Sequence, residues 1–139
     1  MCAGLTVFNS IRKMNIPVGE LVAIQGMGGL GHLAIQYANK FGYRVAALSR
    51  GTSKEKFVRD LGAHEYIDTS AVDAAEALQK LGGASLIVTT SPNAEAIPRL
   101  IGGLGPVGKL LLLSIPGELK INTYALVSAL MHMAHACSC

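Results

Sequence analysis

A chain of 139 residues with a formal charge of +3, half of it apolar and only 15% charged, has the length of one ordinary domain and the composition of one with a sizeable core. That balance excludes a disordered tail, and Lys and Arg scattered without dense basic runs or interleaved aromatics exclude a nucleic-acid surface. No stretch reaches the roughly 18 apolar residues of a membrane-spanning helix, and no secretory leader opens the chain. The three cysteines, Cys2, Cys137 and Cys139, sit at the ends and form no disulfide framework, so the expected setting is the cytoplasm.

The first predicted element is a helix over about residues 2–14, broken by Pro17 and Gly19. From Glu20 onward short apolar runs alternate with helical patterns, the signature of βαβ units and a parallel sheet. Strands are expected at 21–25, 44–48, 66–67, 85–89 and 109–114, and helices at 30–41, 53–61, 71–81 and 94–101. The continuous Val, Ile and Leu content of the strands indicates that both faces of the sheet are covered. Right-handed crossovers then give an α/β fold, a doubly wound (Rossmann) parallel sheet of about five strands in the order 3-2-1-4-5. The final stretch, YALVSALMHMAHACSC, reads as an apolar helix and a short tail, so residues 123–139 form a divergent end of the single domain 1–139.

Gly26, Gly28 and Gly31 make a GxGxxG directly after the strand LVAIQ and directly before the helix LGHLAIQYANKF. In that context Gly26 serves a tight turn, Gly28 lets the backbone approach a pyrophosphate, and Gly31 lets helix and strand pack closely. The helix N-terminus offers N–H groups and a favourable dipole to the anion. A cradle of this kind that binds NAD has a carboxylate at the end of the next strand, for the ribose hydroxyls. Here that strand ends in Ser49, followed by Arg50, Gly51, Thr52, Ser53 and Lys54. Ser49, Arg50 and Lys54 offer hydrogen bonds and two positive charges to the extra phosphate of NADP(H), which is therefore the expected cofactor. Thr52 or Ser53 also reads as a helix cap, and the two roles are compatible.

With these residues in hand the chain resembles the nucleotide-binding domain of the zinc-containing alcohol dehydrogenases, the medium-chain dehydrogenase/reductase family. The likeness covers about residues 1–122 and rests on MCAGLTVF, GMGGLGHLAIQYA, LGAHEYIDT and GKLLLLSIPGE, while SRGTSK resembles the NADP-dependent cinnamyl-alcohol-dehydrogenase-like branch. The resemblance implies a pyrophosphate loop at Gly26, Gly28, Gly29, Leu30 and Gly31, and an adenosine phosphate pocket at Ser49, Arg50 and Lys54. It implies further cofactor contacts at Thr6, Thr89, Thr90, Ser114, Ile115 and Pro116. Cys2 matches a ligand of the catalytic zinc.

The resemblance also implies a zinc-bearing catalytic domain ahead of this sequence, which the 139 residues do not contain, and a chain that starts at an internal methionine. Cys2 alone cannot hold zinc, so a vestigial, metal-free position is expected there. His132, His135, Cys137 and Cys139 are zinc-type ligands, the two histidines at a spacing that shares a helical face, yet they stand in a divergent end of accidental composition. His32 is expected to be a packing histidine and His64 a surface-loop residue, and no carboxylate pair is placed for acid–base work.

Two functions follow. One is an NADP-binding oxidoreductase domain that transfers hydride between carbonyl and alcohol weakly by itself, or with a partner chain supplying the catalytic half. The other is a non-redox protein that uses the Rossmann cleft as a small-molecule-binding or scaffold module, or for another reaction. Self-association is expected through the fifth strand or the C-terminal helix.

Overall fold

The computed structural model describes residues 2–115, 117–124 and 132–135, and of residues 2, 3 and 132–135 the backbone. Helix α1 (Cys2–Lys13) leads into β1 (Leu21–Gln25), α2 (Gly29–Lys40), β2 (Arg44–Ser49), α3 (Glu55–Asp60) and β3 (Glu65–Asp68). The second half contributes α4 (Ala74–Lys80), β4 (Ala84–Thr89), α5 (Ala96–Leu100) with a 3-10 turn (Ile101–Gly103), β5 (Leu104–Leu112) and β6 (His132–His135).

All neighbouring strands are parallel, in the order β3-β2-β1-β4-β5-β6. The five-strand order 3-2-1-4-5 is the expected one. The sixth strand corrects the reading of the tail as a helix: residues 123 and 124 are helical, but 132–135 pair with Lys109–Leu112 of β5. β5 is thus an interior strand, and its edge is not open for self-association as expected. The rest of the expected tail helix, at 125–131, lies outside the described residues, as do Cys137 and Cys139. The helical spacing of His132 and His135 does not apply to a strand.

The alternation of each strand explains how one sheet feeds two cores. Val22 and Ile24 of β1, Val45 and Ala47 of β2, Leu86 and Val88 of β4 and Leu111 of β5 face one cluster, with Val7 and Ile11 of α1, Ala34, Ile35 and Ala38 of α2 and Val58 of α3. Leu21 and Ala23, Ala46 and Leu48, Ile87, and Leu110 and Leu112 face the other, with Leu78 of α4 and Ile97 and Leu100 of α5. Both faces are buried, so the strands read as continuous apolar runs.

Helix α1 packs on α2 through Phe8. Its ring lies edge-on to Tyr37 at 5.6 Å and tilted against Phe41 at 5.3 Å, pairs that add about 0.5–1.5 kcal/mol beyond area burial. The Lys109 ammonium of β5 donates to the Met14 carbonyl oxygen at 2.5 Å, tying the end of α1 to the sheet. Helix boundaries differ from expectation mostly at N-termini. α4 starts at Ala74 because the Asp73 carboxylate caps it, accepting from the Glu76 N–H at 3.0 Å. α3 starts at Glu55 with Lys54 as the capping position and no side-chain cap bond, so neither Thr52 nor Ser53 caps it as expected; Thr52 contributes only its carbonyl, to the Glu55 N–H.

Candidate functional site

The strand order reverses between β1 and β4, and the carboxyl ends of the strands there open onto a cleft of about 480 Å³. Its lining includes Gln25 and Gly26 from the end of β1, Ser49, Arg50 and Lys54 from the end of β2 and its loop, and Ser91, Asn93 and Arg99 beyond β4. Backbone hydrogen bonds stitch the strand ends together. Gly26 N–H donates to Leu48 O, Thr90 N–H to Gln25 O, and Leu113 N–H to Thr89 O. The Thr90 hydroxyl sits close to two carbonyls, Gln25 O at 3.0 Å and Gly26 O at 3.2 Å, and Ser114 Oγ donates to Ser91 O at 2.8 Å.

The glycines of the turn do different work. Gly26 has φ +93°, a left-handed conformation, and a Cβ there would stand 2.5 Å from Thr90 Oγ1. A Cβ on Gly31 would stand 1.7 Å from Gly26 O, so the start of α2 can lie against the end of β1 only with glycine at this position. At Gly28 and Gly29 a Cβ would meet nothing within 4 Å. There the backbone faces open space, the property a closely approaching anion requires. The first intrahelical bond of α2 runs from His32 N–H to Gly28 O, which leaves the N–H groups of Gly29, Leu30 and Gly31 without intrahelical acceptors.

Thr6, Gly28, Gly29, Leu30, Gly31, Thr89, Thr90, Ser114 and Ile115, also expected at the site, are not among the residues that line this cleft. Leu30 packs against the core cluster below the turn. Thr89 is wholly buried and its hydroxyl has no hydrogen-bond partner; Gln25 Oε1, across the β1–β4 register from it, is also buried and unpartnered. Ile115 is 80% exposed beyond β5, and Pro116 lies outside the described residues. Thr6 is half-buried in the middle of α1, while Cys2 begins that helix with its side chain outside the described residues. Among the described residues no group of three or more His, Cys, Asp or Glu stands where it could hold a metal ion; the side chains of Cys2, His132, His135, Cys137 and Cys139 lie outside them.

His32 is more than packing: its Nδ1 lies 3.2 Å from Gly28 O, donating to it in the tautomer that carries the proton there. His64 is exposed as expected, yet it ties β2 to the turn before β3, its N–H donating to Val45 O and its Nδ1 accepting from Val45 N–H at 3.0 Å.

Sequence reasoning missed the end of β3. The Asp68 carboxylate accepts from Gly51 N–H at 2.8 Å, Ser70 N–H at 2.9 Å and Ser70 Oγ–H at 2.5 Å. The Ser70 hydroxyl first and the Ser70 N–H next hold this carboxyl below its ordinary pKa; burial opposes them, by more than the Gly51 N–H adds. The Tyr66 hydroxyl donates to Gly51 O at 2.5 Å, and Thr69 donates both its N–H and its hydroxyl to Ser49 O. The signal that points to Asp68 is register: Ser49 and Asp68 are partners across the parallel β2–β3 ladder. Arg99 was missed as well, because its approach to the cleft depends on how α5 docks on the sheet.

The zinc-binding dehydrogenase family model matches residues 29–136. The chain belongs to that family. Within zinc-binding dehydrogenases the matched part is the dinucleotide-binding half. It is 69% identical over 128 residues to the alcohol dehydrogenase patD of Aspergillus clavatus, an alignment that takes in 92% of this chain and 33% of that protein. It spans about a third of the length of the curated relatives it matches. Among solved structures, the alcohol dehydrogenase of Aeropyrum pernix is 26% identical with a TM-score of 0.89, covering 98% of this chain and 41% of that one. A putative zinc-binding dehydrogenase of Sinorhizobium meliloti solved with NADP bound, 22% identical with a TM-score of 0.87 over 97% of this chain and 42% of that one, shares the fold. Among the described residues no helix is long and apolar enough to cross a membrane.

Proposed function

We propose that this chain is the cofactor-holding half of a zinc-type alcohol dehydrogenase and that it selects NADP(H) over NAD(H). The observation that carries the reading is the cleft at the β1–β4 reversal, whose wall at the end of β2 is Ser49, Arg50 and Lys54 with no carboxylate. The pyrophosphate would lie on the open backbone of Gly28 and Gly29, against the N–H groups at the start of α2. Arg50 and Lys54, both exposed at the outer end of the cleft, would take the 2′-phosphate with charge-assisted hydrogen bonds. Two acids line the cleft away from the end of β2, Asp73, which caps α4, and Glu95, at the start of α5, while Asp68 binds the Gly51 and Ser70 N–H groups.

Once bound, the nicotinamide supplies hydride exchange with a carbonyl or alcohol carbon. The ring would sit beyond the ends of β4 and β5, toward Thr90 and Ser114, and the unpartnered hydroxyl of Thr89, wholly buried at the end of β4, is the polar group there that a ligand could engage. Zinc and the substrate pocket would come from the catalytic half of the enzyme, on the same polypeptide or on a partner chain. The setting this reading takes is the cytoplasm, and with β5 paired by β6 the C-terminal segment is the part of the expected self-association surface that it retains.

A fluorescence titration tests the cofactor reading. NADPH is expected to bind at least tenfold more tightly than NADH; tighter NADH, or a cleft that rejects both dinucleotides while taking another small molecule, overturns it and favours a non-redox use of the fold.

A further inference from the structure

The geometry points to Tyr66 and Asp68 as positioning residues that set 2′-phosphate selectivity by holding the two peptides that flank Gly51, next to Arg50, in one conformation. This deepens the NADP(H) reading and rests on it. Neither residue is among the side chains lining the cleft. They act on the loop from behind, through both polar groups of Gly51: Asp68 Oδ1 accepts from its N–H at 2.8 Å and the Tyr66 hydroxyl donates to its carbonyl at 2.5 Å. One residue before Arg50, the Ser49 carbonyl takes two bonds from Thr69. The backbone of Arg50 is thus fixed on both sides, while its own side chain is exposed and has the freedom of a long cation.

Gly51 has φ +73°, a turn conformation in which the chain reverses before α3. Without the two bonds from β3, the loop 50–54 keeps its charges but loses the arrangement that aims Arg50 and Lys54 at one point. A phosphate monoester then has to order the loop as it binds, and its affinity falls by that cost. The adenosine without that phosphate makes no demand on the loop cations and is unaffected. Asp68 keeps its negative charge, which opposes a nearby phosphate; what it adds to selectivity is the loop order enforced by the three hydrogen bonds it accepts.

The test uses adenosine 2′,5′-bisphosphate and AMP as probes in calorimetric titrations of the 139-residue chain and its variants. The parent chain is expected to prefer the bisphosphate. Tyr66→Phe and Asp68→Ala should each weaken the bisphosphate about fivefold and leave AMP within about twofold. Asp68→Asn, which keeps an oxygen facing the Gly51 N–H, should restore most of the loss. Amide exchange at Gly51 should quicken in Tyr66→Phe and Asp68→Ala and stay slow in Asp68→Asn. Equal losses for both probes, unchanged bisphosphate affinity despite fast Gly51 exchange, or tighter bisphosphate binding in Asp68→Ala overturns the inference. If Asp68→Ala does not fold by its melting curve, Tyr66→Phe, which deletes one oxygen, decides the matter alone. Failure of the underlying NADP(H) reading shows separately, as a parent chain that does not distinguish the probes, and it removes this inference too.

Discussion

Replacing Gly31 by alanine would put a methyl carbon 1.7 Å from Gly26 O, 2.8 Å from Gly26 C and 3.4 Å from Thr90 Oγ1. Real Cβ atoms essentially never come within 3.0 Å of such neighbours, so the start of α2 and the end of β1 must part by at least about 1.3 Å. Neither side yields easily: Gly26 O is in the hydrogen-bonding reach of Thr90, and α2 is anchored by Ala34, Ile35 and Ala38 in the core. Overpacking of this kind costs about 3 kcal/mol, offset by up to about 1 kcal/mol because alanine is the better helix former. A net loss of about 2–3 kcal/mol corresponds to roughly 8–12 °C in Tm for a domain of this size. Gly28→Ala is the matched control, since φ is −83° there and the added Cβ meets no atom within 4 Å. It should leave Tm within about 2 °C yet weaken dinucleotide binding at least tenfold, because the methyl occupies the space meant for pyrophosphate. Melting followed by circular dichroism, with NADPH titrations on the same samples, separates the two effects. An unchanged Tm in Gly31→Ala, or full dinucleotide affinity in Gly28→Ala, would refute the packing argument or the phosphate argument respectively.

Arg50→Ala or Lys54→Ala should weaken NADPH about tenfold or more, leave NADH nearly unchanged and flatten the salt dependence of NADPH binding, as measured by titration at two ionic strengths. Thr89→Val removes a buried hydroxyl that has no partner, so the protein without ligand should melt at the same temperature or slightly higher while nicotinamide dinucleotides bind less well. The Asp68 carboxyl is held below its ordinary value of 3.8 chiefly by the Ser70 hydroxyl. A depressed carboxyl adds stability above that ordinary value and loses it as pH falls through the folded one. The Tm advantage of the parent over Asp68→Asn should therefore be constant from about pH 7 to 5 and shrink below about pH 4, and an advantage that grows toward acid would contradict the assignment.

The cradle was legible because its requirements are local. A strand, three spaced glycines and a helix follow one another in the chain, and the +93° φ of Gly26 and the contact made by Gly31 are consequences of that spacing. Strand order followed from the handedness of the crossovers, and two-sided burial from the unbroken apolar runs. The clamp at the end of β3 was not legible, because Asp68 reaches Gly51 only through the β2–β3 register, 17 residues away along the chain. The tail failed for a different reason. Helical spacing in an apolar stretch says nothing of the open edge it meets, and β5 with unpaired backbone groups accepts residues 132–135 as a sixth strand. The start of α3 shows the same limit on a small scale: Thr52 and Ser53 have capping side chains, but the turn at Gly51 carries the chain past them before the helix begins at Glu55.

An NMR titration of the amide-labelled chain with NADPH and with NADH tests the account most directly. Both dinucleotides should shift the amides of Gly28, Gly29, Leu30 and Gly31, and only NADPH should shift Arg50, Gly51 and Lys54. Equal shifts of the 50–54 loop with NADH, or a turn at 26–31 that neither dinucleotide touches, would contradict it.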